Sequence, residues 1–349
     1  MKPIRMRRRA LLGASVLSAL ACKRKADRSS VLRALTAEVV APAIEGVSTA
    51  SRALELSIQK LAAAPHEGSL GDSRGVFKAA LVAWKYAYGL RAGPLVLSNA
   101  FLRAMFWPPR PKAIDGVLEG QRAIDEGLLE ELGVDAKGIF ALESFLFAVD
   151  KSDEATVSRL AAERSRRYVT ALAVNVRAYA DRASRLFGDG RAFADQFASA
   201  GQDNVNRLVS QMVDTVEVVA GRVQKIVALD ASGLLRPAEV EGWPSQTSRE
   251  IASALLQGTE ALYRGRGGGG MGDLVNAVSK PIDDRVRAAM DEARNCLADL
   301  GAPLEQAVKT NRAGIDRVSR SLKALEIAMK SDMASAMGVT LTFTAGDGD

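Results

Sequence analysis

Through most of this chain apolar residues return every three or four positions, and few architectures accept that pattern. Val157, Leu160, Tyr168, Leu172, Val176, Tyr179, Ala183 and Leu186 form one such stripe. Val205, Leu208, Met212, Val216, Val219, Val223 and Ile226 form another. Residues spaced this way share one face of an α-helix, so each stripe predicts a helix with one buried side. The valines of the second stripe would suit a strand, yet the period is helical and not two. Spacings of three and four kept over many turns are those of bundle helices, and the predicted class is all-α. At 349 residues the chain has room for two ordinary domains or one large one.

Further stripes run from Val31 to Leu61, from Phe77 through Leu81 and Trp84 to Tyr88, from Ile282 to Leu300 and from Leu304 to Met333. Pro42 is expected to kink or divide the first, and Pro303 to sit in the first turn of the last. Breakers set the predicted connections: a loop over Pro65 to Ser73, the prolines from Pro108 to Pro111, Gly188-Asp189-Gly190, and Leu229 to Ser245. Leu95 to Trp107 is a helix candidate, and Asp115 is expected to cap a helix reaching Leu132. The run Gly265 to Gly272 reads as a flexible connector, because no Gly-Lys-Ser/Thr closes it and no strand precedes it, as a phosphate-binding loop requires. Ser245 and Ser248 are expected to cap the helix that follows. From Gly338 the period becomes two, which suggests an extended tail against the bundle.

The net charge of +6 invites a nucleic-acid reading until its location is considered. Lys2, Arg5, Arg7, Arg8 and Arg9 account for five of those charges, so the rest of the chain is close to neutral and no nucleic-acid partner is expected. This basic start leads into an apolar run from Ala10 to Ala21, the pattern of an export signal. The run is short for a membrane span and its downstream flank is basic. Ser18-Ala19-Leu20-Ala21-Cys22 resembles a bacterial lipobox, which implies a lipid on Cys22 and a soluble domain tethered to a membrane. Arg8-Arg9-Ala10-Leu11-Leu12 is also similar to a twin-arginine signal. The basic Lys23-Arg24-Lys25 favours the outer membrane. Cys296 is then the remaining thiol, expected as a small buried hydrophobe.

One histidine, His66, decides several questions. It stands at an expected helix end, and neither a His-Glu-x-x-His zinc box nor a Gly-x-Ser-x-Gly elbow exists. Peptidase chemistry is close to excluded. The chemically pointed stretch is instead Gly138-Ile139-Phe140-Ala141-Leu142-Glu143, followed by Ser144-Phe145-Leu146-Phe147. It places Glu143 on or beside a buried helical stripe, where an unpaired carboxylate is costly. Two readings stand: a carboxylate paired with an arginine in the packing, or a binding carboxylate in a pocket.

That stretch resembles the imelysin signature, Gly-x-His-x-x-Glu before a bulky apolar segment, with Gly138 and Glu143 in place and Phe140 at the histidine position. Three other places are similar to the family in order and spacing. They are the Trp84 helix closing at Gly93-Pro94, the segment Glu241-Gly242-Trp243-Pro244-Ser245-Gln246-Thr247-Ser248, and Asp332 to Val339 running into Asp347-Gly348-Asp349. The resemblance spans about residues 30 to 349. It implies two helical bundles related by duplication, each a four-helix architecture, with a site at their interface drawing on Gly138, Phe140, Glu143, Glu241 and Trp243. The expected division is a lipoprotein signal at 1–22, a linker at 23–30, an N-terminal bundle at 31–150 and a C-terminal bundle at 151–349.

The resemblance also implies an exported cell-envelope protein linked to uptake of iron or another divalent metal. The family's description as a metallopeptidase conflicts with the residue census above. Phenylalanine cannot hold a metal, so Glu143 is at most a lone protein ligand unless Glu241 or Asp347 converges on it. The expected function is a non-enzymatic binding component of a metal-uptake or redox-linked envelope system, facing the periplasm, with metal binding lost or altered. The alternative is a metal-independent scaffold that docks a periplasmic or outer-membrane protein, and a metallopeptidase is the remote third.

Overall fold

The stripes become helices in a computed structural model that describes residues 27–148 and 151–341. The expected signal, Cys22, Asp347 and most of the tail lie outside the described residues. In chain order the helices are α1 (Arg28–Leu35), α2 (Ala41–Ala63), α3 (Glu67–Leu90), α4 (Pro94–Leu97), α5 (Ala100–Ala104) and α6 (Pro111–Glu119). Next come α7 (Glu126–Glu131), α8 (Gly138–Leu146), α9 (Asp153–Ala161), α10 (Glu163–Phe187), α11 (Arg191–Ser199) and α12 (Gln202–Ala231). The last are α13 (Ser248–Arg264), α14 (Met271–Val278), α15 (Lys280–Asp299), α16 (Leu304–Thr310), α17 (Arg312–Ile327) and α18 (Ala334–Ala336). No strand occurs among the described residues, and none of their helices is long and apolar enough to cross a membrane.

The helices close into two rings. In the first, α2 packs on α3 and on α10, while α8 packs on both α3 and α10. In the second, α12 packs on α13 and α17, and α15 packs on the same two. The rings meet along α3 and α13, where Gly89 and Gly258 let the backbones approach. A Cβ on Gly258 would run into the Tyr86 carbonyl, and one on Gly89 into the Leu255 carbonyl. Thr259 adds a hydroxyl hydrogen bond to the Gly89 carbonyl at 3.3 Å. One apolar core continues through both rings, from Val31 to Val339.

The first helical stretch divides just before Pro42: a π-helical turn at Thr36–Val40 separates α1 from α2, and Pro42 follows it at the start of α2, where the widened turn makes room for a residue without an N–H. Other local expectations change. The loop expected at Pro65 to Ser73 is mostly helix. His66 accepts from the Ser69 N–H at 3.2 Å and Ser69 accepts from the His66 N–H at 3.1 Å, a reciprocal cap that overrides the local glycines. Pro111 opens α6, so Asp115 lies inside that helix, and the cap falls to Asp125, which accepts from the Leu128 N–H at 2.9 Å. Leu95 to Trp107 divides into α4 and α5 at Asn99, whose backbone is left-handed. The last long stripe breaks at Asn311, whose side chain caps α17. The glycine run is pinned at its end, since Asp273 accepts from the Gly269 N–H at 2.7 Å.

Candidate functional site

Where the two rings meet, side chains from α3, α8, α12 and the connection before α13 form a buried polar cluster. Gly138 positions the α8 contribution. Its φ of +81° suits glycine, and a Cβ there would lie 2.5 Å from the Ala104 carbonyl oxygen. Helix α8 can therefore start hard against α5. Two residues on, Phe140 is fully buried, and Glu143 follows on the same helix at 2 % exposure.

Glu143 is not paired with an arginine. Ser245, in the connection before α13, donates its hydroxyl to Glu143 Oε1, and Ser245 and Thr247 share a hydroxyl hydrogen bond of 2.7 Å. Burial pushes the Glu143 carboxyl up to about 7, with the Ser245 hydrogen bonds opposing that shift. Glu241 has the opposite fate. Lys85 donates to its Oε1 at 2.6 Å and Arg222 to its Oε2. Burial alone would raise Glu241, but these two cations outweigh it and hold the carboxyl below its usual range. Lys85 is itself 3 % exposed. Burial draws its ammonium below the usual lysine range, and Glu241 opposes that. Its Nζ also stands 5.1 Å from the centroid of the Phe140 ring.

Lys85, Arg222 and Glu241 of this cluster line a cavity of about 900 Å³ together with Tyr88, Arg91, Phe101, Trp107 and Asp214, among others, while Glu143 and Phe140 are not in its wall. Ion pairs run along the wall, with Arg91 and Asp214 3.6 Å apart. A volume of this order suits an organic ligand, and the mixture of aromatic and charged walls would orient one.

Of the residues singled out in the sequence, Glu143, Phe140 and Glu241 come together around Lys85. Gly138 supports them from the start of α8. Trp243 is half-buried against the core and does not line the cavity. The expected cap roles of Ser245 and Ser248 are not what forms. Ser245 serves Glu143, while Ser248 donates to Glu305 at 2.6 Å and accepts from the Leu304 N–H at 2.8 Å. Thr247 takes the cap position of α13 without a side-chain bond to the helix N–H groups.

Lys85 and Arg222 were not signalled as site residues by the motifs. A trace of Lys85 is present, since Phe77, Leu81 and Lys85 stand four apart and a lysine continues an otherwise apolar stripe. Its partner, 156 positions away, leaves no local trace.

A metal ion needs several free donors, and the cluster does not offer them. Both oxygens of Glu241 are engaged by cations, Glu143 Oε1 accepts from Ser245, and Phe140 brings a ring instead of an imidazole. Among the described residues no group of three or more His, Cys, Asp or Glu side chains is placed to hold an ion. These residues do not fit a bare metal ion.

The imelysin family profile matches residues 40–329. Among solved structures, an imelysin-like protein from Psychrobacter arcticum 273-4 superimposes with a TM-score of 0.71 at 19% identity, over 90% of this chain and 97% of that one. A candidate iron-regulated protein A precursor from Parabacteroides distasonis ATCC 8503 gives 0.71 at 15% identity, over 93% of this chain and 97% of that one. No curated protein matches the sequence.

Proposed function

Because the chain belongs to the imelysin family, we propose that it is a non-enzymatic binding component of a cell-envelope system that handles iron or another metal, or of a redox-linked one. In this reading lipidated Cys22 holds the helical body on the outer membrane, facing the periplasm. The observation that carries the proposal is the cavity of about 900 Å³ that ends on Lys85, Glu241 and Arg222, side chains supplied by both rings. The name of the Parabacteroides distasonis neighbour supports the link to iron. The cavity is far larger than a bare ion, so the form of metal it suits is a chelate whose organic part meets Tyr88, Phe101 and Trp107.

A binding role also agrees with how the titratable groups are used. His66 caps a helix, and Glu241 is neutralised by two cations, so neither is free to serve as a general base. The test is titration of the purified protein with ferric citrate, followed by calorimetry and by Trp107 fluorescence, beside a fluorogenic peptide assay with and without chelator. Saturable binding with an unchanged peptide is the expected result. Cleavage that a chelator abolishes would refute the non-enzymatic reading. Phe140 favours a second reading, a metal-independent scaffold that docks a periplasmic or outer-membrane protein, and absence of any saturable ferric citrate signal would turn the assignment to it.

A further inference from the structure

In the family signature an imidazole precedes the carboxylate by one helical turn, and here Phe140 stands in its place. That change alone would leave Glu143 beside an apolar ring with no cation to answer it. The fold supplies one from a different helix. Lys85 of α3 brings its ammonium 2.6 Å from Glu241 and 5.1 Å from the Phe140 ring centroid, and its charge also attracts Glu143. An imidazole lone pair calls for a proton or a metal, whereas an aromatic face attracts an ammonium directly. Phe140 and Lys85 therefore make a matched pair.

We infer that Lys85 is the resident cation of this site, its ammonium taking the place among Phe140, Glu241 and Glu143 that a divalent ion would need, so that the pocket is closed to a bare metal. A divalent ion entering would meet Lys85 and Arg222 at close range, both repulsive, and would find the Glu241 oxygens already taken. The inference deepens the binding reading above and rests on it only for the location of the site.

Zinc, which undergoes no redox chemistry, is the probe. Calorimetry is run on the wild type, Lys85→Ala, Phe140→His and the double variant Lys85→Ala/Phe140→His. The wild type and Phe140→His are expected to give no saturable isotherm, and the double variant a one-to-one isotherm that vanishes on adding Glu143→Gln. In parallel, Lys85→Ala should unfold about 5 °C lower, because it strips one partner from a buried charge cluster. Added n-butylammonium, shaped like the lost side chain, should restore more of that loss than tetramethylammonium.

Zinc uptake by the wild type that Glu143→Gln abolishes would overturn the inference. So would a double variant that takes no zinc, or equal effects of the two ammonium ions. If Lys85→Ala does not fold, Lys85→Met fills the channel without charge, carries the Phe140→His change and enters the same zinc assay: uptake supports the inference and its absence overturns it. Ferric citrate binding by the wild type is read separately, so either result can fail while the other stands.

Discussion

Taking a carboxyl out of water delays its ionisation, and at Glu143 burial lifts the transition from an ordinary 4.5 to about 7. The native chain then holds a proton that the unfolded chain has already lost between those two values. Stability must therefore fall as pH rises through that window and level off above about 7. The size of the effect is ~3 kcal/mol, from the shift converted at 1.36 kcal/mol per unit. Glu143→Gln keeps an oxygen for the Ser245 hydroxyl and has nothing to ionise. Thermal scans from pH 4 to 8 should show this variant about 5 °C more stable than the wild type at pH 8 and equal to it near pH 4.5. Parallel pH curves for the two proteins would mean that Glu143 ionises normally. The opposite treatment of Glu241, held ionised by Lys85 and Arg222, shows why burial alone does not decide the state of an acid. The number of cations within reach does.

At the level of helices, glycine separates two kinds of position that sequence alone treats alike. Gly46 in α2 has open space where a Cβ would go, so Gly46→Ala should stabilise by about 0.5–1 kcal/mol through helix propensity and unfolded-state entropy. Gly258 in α13 lies 2.9 Å, measured from its would-be Cβ, from the Gly89 Cα. The same substitution there should cost about 1–3 kcal/mol, because two helices must move apart. Denaturant titration of both variants checks this, and like signs would refute the close α3–α13 crossing. Capping behaves in the same way. His66 with Ser69 and Asp125 with Leu128 start helices amid residues that read as breakers, because satisfying bare N–H groups outweighs a local glycine. A period of three and four shows where a helix is. It does not show which polar residue wins its end.

For the whole molecule, the all-α class was legible because stripes such as Val157 to Leu186 and Val205 to Ile226 persist over many turns, while the two-bundle arrangement was implied by the family resemblance alone. The carboxylate half of the site was legible in the same way, since Glu143 interrupts an apolar helix. Its cationic half was not, because Lys85 and Glu241 meet only through tertiary packing across 156 positions. The ring membership of α10 was hidden for a related reason. It packs along α2 although it follows residue 150, and we place the division between bundles after α10, near Gly188 to Gly201, where both rings stay whole. What couples the rings can then be asked directly. The polar cluster joins α3 and α8 to α12 and the start of α13, and breaking a buried pair of this kind costs about 3–5 kcal/mol. The apolar core, by contrast, runs without interruption through the α3–α13 crossing, and burial on that scale exceeds any single ion cluster. Calorimetry should therefore show one endotherm for the wild type. Glu241→Gln, which leaves Lys85 and Arg222 buried around a neutral amide, should move that endotherm down without dividing it. Gly258→Ala, which strains the α3–α13 crossing by less than the core across it contributes, should also move one undivided endotherm down. Division by Glu241→Gln, with Gly258→Ala merely shifting the peak, would assign the coupling to charge instead of packing.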